Sequence, residues 1–185
     1  MRLFIASSFP PEVLRGLNDR VSQLKPRLPS ASWVREETQH LTFAFLGEQP
    51  QAIIDRVDAP LKVALAKIAP FKATLAGSGF FPNHRHARVG WAGLEPDAKF
   101  VEVAKIVRDI VTRHGVVLDG GEFRAHLTLL RVRDPWPPAS IDLFCRSLKD
   151  YRSAPFTVDA LTLYSSQLSP QGAIHTPQGR YPLAS

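Results

Sequence analysis

His40-Leu41-Thr42-Phe43 in the N-terminal half and His126-Leu127-Thr128-Leu129 in the C-terminal half are one pattern written twice. On a β-strand, side chains alternate between faces, so residues two apart share a face. His40 and Thr42 then share one face, and Leu41, Phe43 and Phe45 share the other. The second copy repeats the arrangement, with His126 and Thr128 opposite Leu127 and Leu129. A polar pair over an apolar backing is a strand with one face packed and one face wet. Two such strands facing each other put two imidazoles and two hydroxyls into one cleft, which is equipment for acid–base chemistry at an anionic centre. One copy alone describes any amphipathic strand; the repetition points to function.

Outward from the two copies, the chain alternates strands and helices. Leu3 to Ser8 reads as a strand. Pro10-Pro11 opens a helix whose apolar residues Val13, Leu14, Leu17, Val21 and Leu24 recur at helical spacing. Pro26 and Pro29 end it. Trp33-Val34 is a short strand and His40 to Leu46 a longer one. Residues 51–69 read as a second helix that Pro60 should kink or split. Lys72 to Ala76 and Ala87 to Gly93 read as strands around a basic loop, Asn83-His84-Arg85-His86. A third helix runs from Pro96 to His114, with Gly115 as its cap. His126 to Leu130 is the second motif strand. Arg133 to Pro138 is a Pro-rich connection to a fourth helix, Ala139 to Leu148. Phe156 to Tyr164 and Ala173 to Tyr181 close the chain as strands. Two rounds of such elements, each carrying one His-x-Thr strand, predict an α+β fold of two pseudo-symmetric lobes within a single domain spanning 1–185.

A chain of 185 residues with 44% hydrophobic residues can bury a proper core. The 23 basic and 17 acidic residues leave a net charge of +6, which favours a polyanionic partner, RNA above all. The single cysteine, Cys145, excludes an internal disulfide and reads as a core residue of the fourth helix. The N-terminal apolar run is too short for a signal peptide, and no stretch approaches the ~20 apolar residues that span a bilayer. These features predict a soluble, cytoplasmic monomer with no membrane partner. His84 and His86 form a His-x-His pair without an accompanying carboxylate or cysteine cluster, so they read as a solvated loop and no metal site is expected. His114 sits where a cation suits a helix C-terminus. Phe43, Phe45, Phe80 and Phe81 read mainly as core, with one of them or Trp33 available to stack on a base.

The flanks of both copies carry a family resemblance. The first reads Trp33-Val34, then His40-Leu41-Thr42-Phe43-Ala44-Phe45-Leu46-Gly47-Glu48; the second reads Phe123-Arg124-Ala125-His126-Leu127-Thr128-Leu129-Leu130-Arg131. Phe80-Phe81-Pro82 and Arg88-Val89-Gly90-Trp91-Ala92-Gly93-Leu94 lie between them. Leu163-Tyr164-Ser165-Ser166-Gln167-Leu168, Gly172 and Arg180-Tyr181-Pro182-Leu183 come after them. In this order they resemble the 2H phosphoesterase superfamily, and within it the RNA 2′,3′-cyclic phosphodiesterase branch, also called the 2′-5′ RNA ligase (LigT/ThpR) family. The likeness runs along essentially the whole chain. Two positions depart from it: Ala125 stands where the family usually has Pro, and His175 where many members have Tyr.

The resemblance implies two antiparallel sheets flanking a central cleft, with helices outside. It implies His40 and His126 as the acid–base pair and Thr42 and Thr128 as hydroxyl donors to the phosphoryl oxygens. It also implies a substrate RNA ending in 2′,3′-cyclic phosphate, a 2′-phosphate product, and no metal or other cofactor. His40 is assigned as acid and His126 as base. Two arginines compete for a phosphate contact. Arg124 shares the face of His126 by strand parity. Arg131 is indicated by resemblance, but an ideal strand turns it to the opposite face unless a bulge or the strand end brings it back. The same groups would join RNA ends through a 2′-5′ bond, without ATP, if a 5′-hydroxyl replaced water. A non-catalytic RNA-binding module and a phosphodiesterase for small cyclic phosphates are the remaining readings.

Overall fold

The computed structural model describes residues 1–170 and 172–184. Among these residues, nine strands form two antiparallel sheets. The first contains β1 (Arg2–Ser7), β3 (Leu41–Glu48), β8 (Ala160–Ser169) and β9 (Gly172–Pro182), in the order β3-β1-β8-β9. The second contains β2 (Ser32–Trp33), β4 (Phe71–Phe81), β5 (Val89–Glu95), β6 (His126–Arg131) and β7 (Phe156–Val158), in the order β2-β6-β5-β4-β7. One motif strand therefore belongs to each sheet, and β3 and β6 meet across the space between them.

Helices cover the outer faces. α2 (Ala52–Leu65) packs on β9 and α3, and α3 (Asp97–Arg113) packs on β3, so both back the first sheet. α4 (Pro138–Leu148) packs on β4 of the second sheet. α1 (Pro11–Leu24) lies beside α4, with the Arg20 guanidinium donating to the Ser147 carbonyl. The α1 stripe read from the sequence, Val13, Leu14, Leu17, Val21 and Leu24, is buried in full. So are Phe100, Val103, Val107, Ile110 and Val111 of α3. Gly115 ends α3 with φ +94°, a left-handed conformation that costs glycine nothing. Among the described residues, no helix is long and apolar enough to cross a membrane.

The two lobes, antiparallel sheets and outer helices agree with the fold expected. Three local expectations need correction. α2 is not split: it continues through Pro60 as one element, held by apolar contacts from Ile53, Val57, Leu61 and Leu65. The strand expected from Phe156 to Tyr164 is two strands. β7 pairs with β4 in the second sheet and β8 with β1 in the first, so the chain changes sheets at Asp159. Phe45 is not core: it is 41% exposed, with the Arg2 guanidinium 4.9 Å above its ring.

Phe45 is turned outward by the first of two bulges in β3. Ile5 pairs with Ala44 and Ala6 with Thr42, which leaves Phe43 as an extra residue. Leu46 is skipped likewise between Phe45 and Gly47. Each extra residue reverses the facing of the residues after it. β6 has the same device at the same place. Gly90 pairs with Leu130 and Trp91 with Thr128, leaving Leu129 unpaired. Phe43 and Leu129 are each the third residue after the histidine. Each begins two consecutive buried residues, Phe43-Ala44 and Leu129-Leu130. The internal repeat therefore extends from sequence to backbone irregularity.

Candidate active site

His40, Thr42, His126 and Thr128 line one cavity of about 220 Å³ between the sheets. Val34, Thr38, Gln39, Arg131, Ala173 and His175 complete its wall. The volume is below the ~300 Å³ at which pockets for whole drug-sized ligands begin, so the cavity suits the reacting end of a larger molecule.

Both imidazoles are held in the same way. His40 Nδ1 lies 2.7 Å from the Thr38 carbonyl oxygen, and His126 Nδ1 lies 2.7 Å from that of Arg124. A carbonyl can only accept, so Nδ1 carries the proton in each ring. Each Nε2 has no protein partner among the described residues and is left for the cavity. It is a base when the ring is neutral and an acid when the ring is protonated. The Thr42 and Thr128 hydroxyls likewise have no protein hydrogen bond among the described residues.

Each ring is also packed. His40 stacks on Phe4, with centroids 4.7 Å apart. The turn that delivers His40 is pinned by the buried Gln39, whose amide exchanges hydrogen bonds of 2.9 and 3.0 Å with Asn18 of α1. His126 meets the edge of Phe81 at 4.8 Å, and Phe81 packs on Trp91 at 5.3 Å. Trp91 lies over Gly79, where a Cβ would come within 2.4 Å of the indole. Thus the Phe-Pro and Trp-x-Gly segments of the sequence build the wall behind His126. Ala125 is buried in the position where Pro is usual, and the neighbouring Arg124 carbonyl still holds the imidazole.

Burial pushes His40 down to about 4, with His175 and His126 adding repulsion of its cation and the Thr38 carbonyl opposing the fall. Burial also pushes His126 below the usual 6.5; the Arg124 carbonyl opposes this, and the Arg131 guanidinium adds to it. His126 therefore has a permanent cation beside it, whereas His40 has only other imidazoles.

The two arginines are placed opposite to what strand parity indicates. Arg131 lines the cavity because the bulge at Leu129 restores it to the face of His126 and Thr128. Arg124 lines a separate groove of about 740 Å³ with Trp91, Lys105, Arg108 and Glu122, and its guanidinium lies 3.9 Å from Glu122. Its carbonyl, not its charge, serves the site.

His175 is legible in the sequence only as a departure from a family pattern, yet it lines the cavity beside His40, with ring centroids 5.1 Å apart. Thr38 and Gln39 carry no sequence signal at all. Of the aromatics considered for base stacking, Phe43, Phe45, Phe80, Phe81 and Trp33, none lines the cavity, and Trp33 is covered by the Lys25 ammonium at 4.8 Å. His84 and His86 lie outside it; His84 Nε2 is 3.8 Å from Cys145 Sγ, whose thiol burial pushes up. Among the described residues, no three His, Cys, Asp or Glu side chains are placed so that they could hold a metal ion. His114 Nδ1 bonds to the Ile110 carbonyl at 2.8 Å and finishes α3.

Known proteins resemble this one over the whole chain. An RNA 2′,3′-cyclic phosphodiesterase of Thermotoga maritima is 30% identical over 178 residues, covering 95% of this chain and 91% of the relative. One of Thermus thermophilus is 32% identical over 185 residues, covering 95% and 87%. Among solved structures, TT0787 of Thermus thermophilus superposes with a TM-score of 0.80 at 29% identity, covering 99% of this chain and 98% of that one. Escherichia coli LigT complexed with 3′-AMP shares the fold, with a TM-score of 0.77 at 24% identity and coverage of 100% and 98%. The sequence model of the 2′-5′ RNA ligase superfamily matches residues 10–169, a span that contains both His-x-Thr strands and all of the second sheet, and this chain belongs to that superfamily.

Proposed function

We propose that the chain is an RNA 2′,3′-cyclic phosphodiesterase that opens the cyclic phosphate to a 2′-phosphomonoester without a metal. The observation that carries this reading is the matched pair of imidazoles, each with Nδ1 tied to the carbonyl two residues back and Nε2 left for one shared cavity. The names of the relatives and the +6 charge support RNA as the substrate.

The step needs one base and one acid on opposite sides of phosphorus. His126 takes a proton from water on Nε2 as the water oxygen bonds to phosphorus. The bond from phosphorus to O3′ breaks, and His40 Nε2–H gives its proton to O3′. Thr42 and Thr128 donate to the non-bridging oxygens, and Arg131 balances their growing charge. The assignment of His40 as the acid is part of this proposal: burial depresses both imidazoles in the free protein, His40 the further, so the acid role requires the bound phosphate to raise it. His126 stays neutral beside the fixed Arg131 cation. His40 is depressed first by burial, then by imidazoles, and the arriving phosphate anion counters both.

The family's description also favours a second reaction of the same groups, in which a 5′-hydroxyl RNA replaces water and a 2′-5′ bond forms. One experiment tests both. RNA with a 2′,3′-cyclic phosphate end is incubated in chelator, with and without 5′-hydroxyl RNA, and the products are mapped. Hydrolysis should leave a phosphate that a 3′-specific phosphatase does not remove. Release of that phosphate would mean that the ribose sits reversed and that the roles of His40 and His126 are exchanged.

A further inference from the structure

The two halves of the site are matched in imidazole, hydroxyl and bulge, but not in charge. The position after the bulge that carries Arg131 in β6 is Phe45 in β3, and Phe45 does not line the cavity. The His40 half therefore supplies no cation from its own strand. The group that stands beside His40 instead is His175, brought by β9.

His175 lies opposite Ser166 of β8, so its side chain shares the cleft face of the first sheet. Its ring is edge-on to His40 at 5.1 Å and to Phe4 at 4.9 Å, and 6.4 Å from Tyr164. His40, His114 and His126 each bond through Nδ1 to a backbone carbonyl. His175 makes no hydrogen bond through either ring nitrogen among the described residues, although it lines the cavity. A partly buried, unpartnered imidazole on the wall of an anion site is a donor awaiting a ligand.

We propose that His175 holds the phosphoryl group from the His40 side of the cleft, as the counterpart of Arg131 on the His126 side, and that it adds a positive charge there only when protonated. The proposal rests on the phosphoryl-transfer reading of the site. The groups facing His175 are consistent with a switchable charge. His40 adjoins it, Tyr164 flanks it from β8, and His126 and Arg131 share the cavity. Arg35 lies against Gly172 at the start of β9. Glu36 and Glu37 belong to the 3-10 turn packed on β9, yet neither offsets the effect of burial, which alone pushes His175 below the usual 6.5. In the free protein near neutral pH the ring is uncharged and does not compete with the protonation of His40. An anionic ligand favours the imidazolium, so proton and phosphate bind together.

The test compares the wild-type protein with His175→Phe, which keeps a ring against Phe4 and His40, and with His175→Gln, which keeps a donor but cannot titrate. Affinity for a nucleoside 2′-monophosphate is measured by calorimetry at about pH 8 and about pH 5.5, with circular dichroism to confirm folding. At the higher pH both variants should bind within about twofold of wild type. At the lower pH both should bind about tenfold more weakly, the scale of one charge-assisted hydrogen bond. Nuclear magnetic resonance should show His175 taking up its proton at higher pH once the ligand is bound. A wild-type-to-variant ratio that is the same at both pH values, or a His175 titration unmoved by ligand, would overturn the proposal. Turnover of cyclic phosphate by wild type separates the two readings. Wild type that turns over with indifferent variants rejects His175 alone, whereas wild type that neither binds nor turns over rejects the site itself.

Discussion

Arg131 shares a wall of the cavity with His126 although it stands five positions from it, an odd spacing, along β6. The bulge at Leu129 makes this possible, since one unpaired residue turns the rest of the strand over. The result is a guanidinium close enough to His126 to depress its proton affinity and a charge available to a phosphate.

Arg131→Ala should therefore lower kcat/KM on cyclic-phosphate RNA by about 10- to 100-fold, the loss expected for a charge-assisted hydrogen bond in a partly dry site. Arg124→Ala keeps its backbone carbonyl and should change kcat/KM by no more than about twofold, because its side chain lies at the surface near Glu122. Steady-state kinetics on the two variants decide between the arginines. The reverse ranking would reject the placement of Arg131 in the cavity and of Arg124 outside it.

The pH dependence comes from two depressed imidazoles. In the free protein His40 titrates at about 4 and His126 below 6.5. One ring must be neutral and one protonated, so kcat/KM should trace a bell with its maximum on the acid side of 6.5. Bound phosphate stabilises both imidazolium forms, so the kcat profile should move to higher pH than the kcat/KM profile. Profiles that coincide, or a kcat/KM maximum well above neutrality, would contradict the assignment of both groups.

The same shift predicts a stability change. Above about 6.5, His40 is neutral folded or unfolded and imposes no penalty. As pH falls toward about 4 the unfolded chain takes a proton that the folded chain resists, so stability declines across that window, by roughly 3 kcal/mol from His40 alone. His40→Phe, which can stack on Phe4 but not titrate, should lose less stability than wild type between about pH 7 and pH 4 in urea unfolding. Equal losses would show that His40 is not the source.

Much of the site is legible in the sequence because strand parity is local. Over the two residues after each histidine the alternation holds, and His40, Thr42, His126 and Thr128 fall on the face it indicates. It fails after Phe43 and Leu129, since a bulge depends on pairing with a neighbouring strand and leaves no mark in the strand's own composition. Parity misplaces Arg131 and Phe45 for that reason, and it misplaces Arg124 because β6 begins only at His126 and the residues before it are not strand. His175 is out of reach on different grounds: only the pairing of β9 with β8, and of β8 with β1, brings it to His40. The switch of sheets at Asp159 is hidden because Phe156 to Tyr164 is continuously strand-like, with both of its parts buried in alternation.

Turnover should be unaffected by EDTA. The proposed scheme takes its base, its acid and its charge stabilisation from His126, His40, Thr42, Thr128 and Arg131, all lining one cavity. Rates with and without chelator should agree within experimental scatter. Loss of activity that a divalent cation restores would require a metal mechanism and a different set of residues.

The central claim is that His40 and His126 work as one pair on one phosphorus, and single-turnover hydrolysis of a cyclic-phosphate RNA tests it most directly. Wild type, His40→Ala, His126→Ala and the double variant are compared at saturating protein, with RNA affinity measured in parallel. Each single variant should lose about 10²- to 10⁴-fold in rate while binding RNA nearly as well as wild type, because the histidines act on the transition state and the basic surface supplies affinity. The double variant should be little slower than the single ones, since removing either member disables the concerted transfer. Near-full activity in either single variant would contradict the account, as would losses in the double variant that multiply as for independent groups.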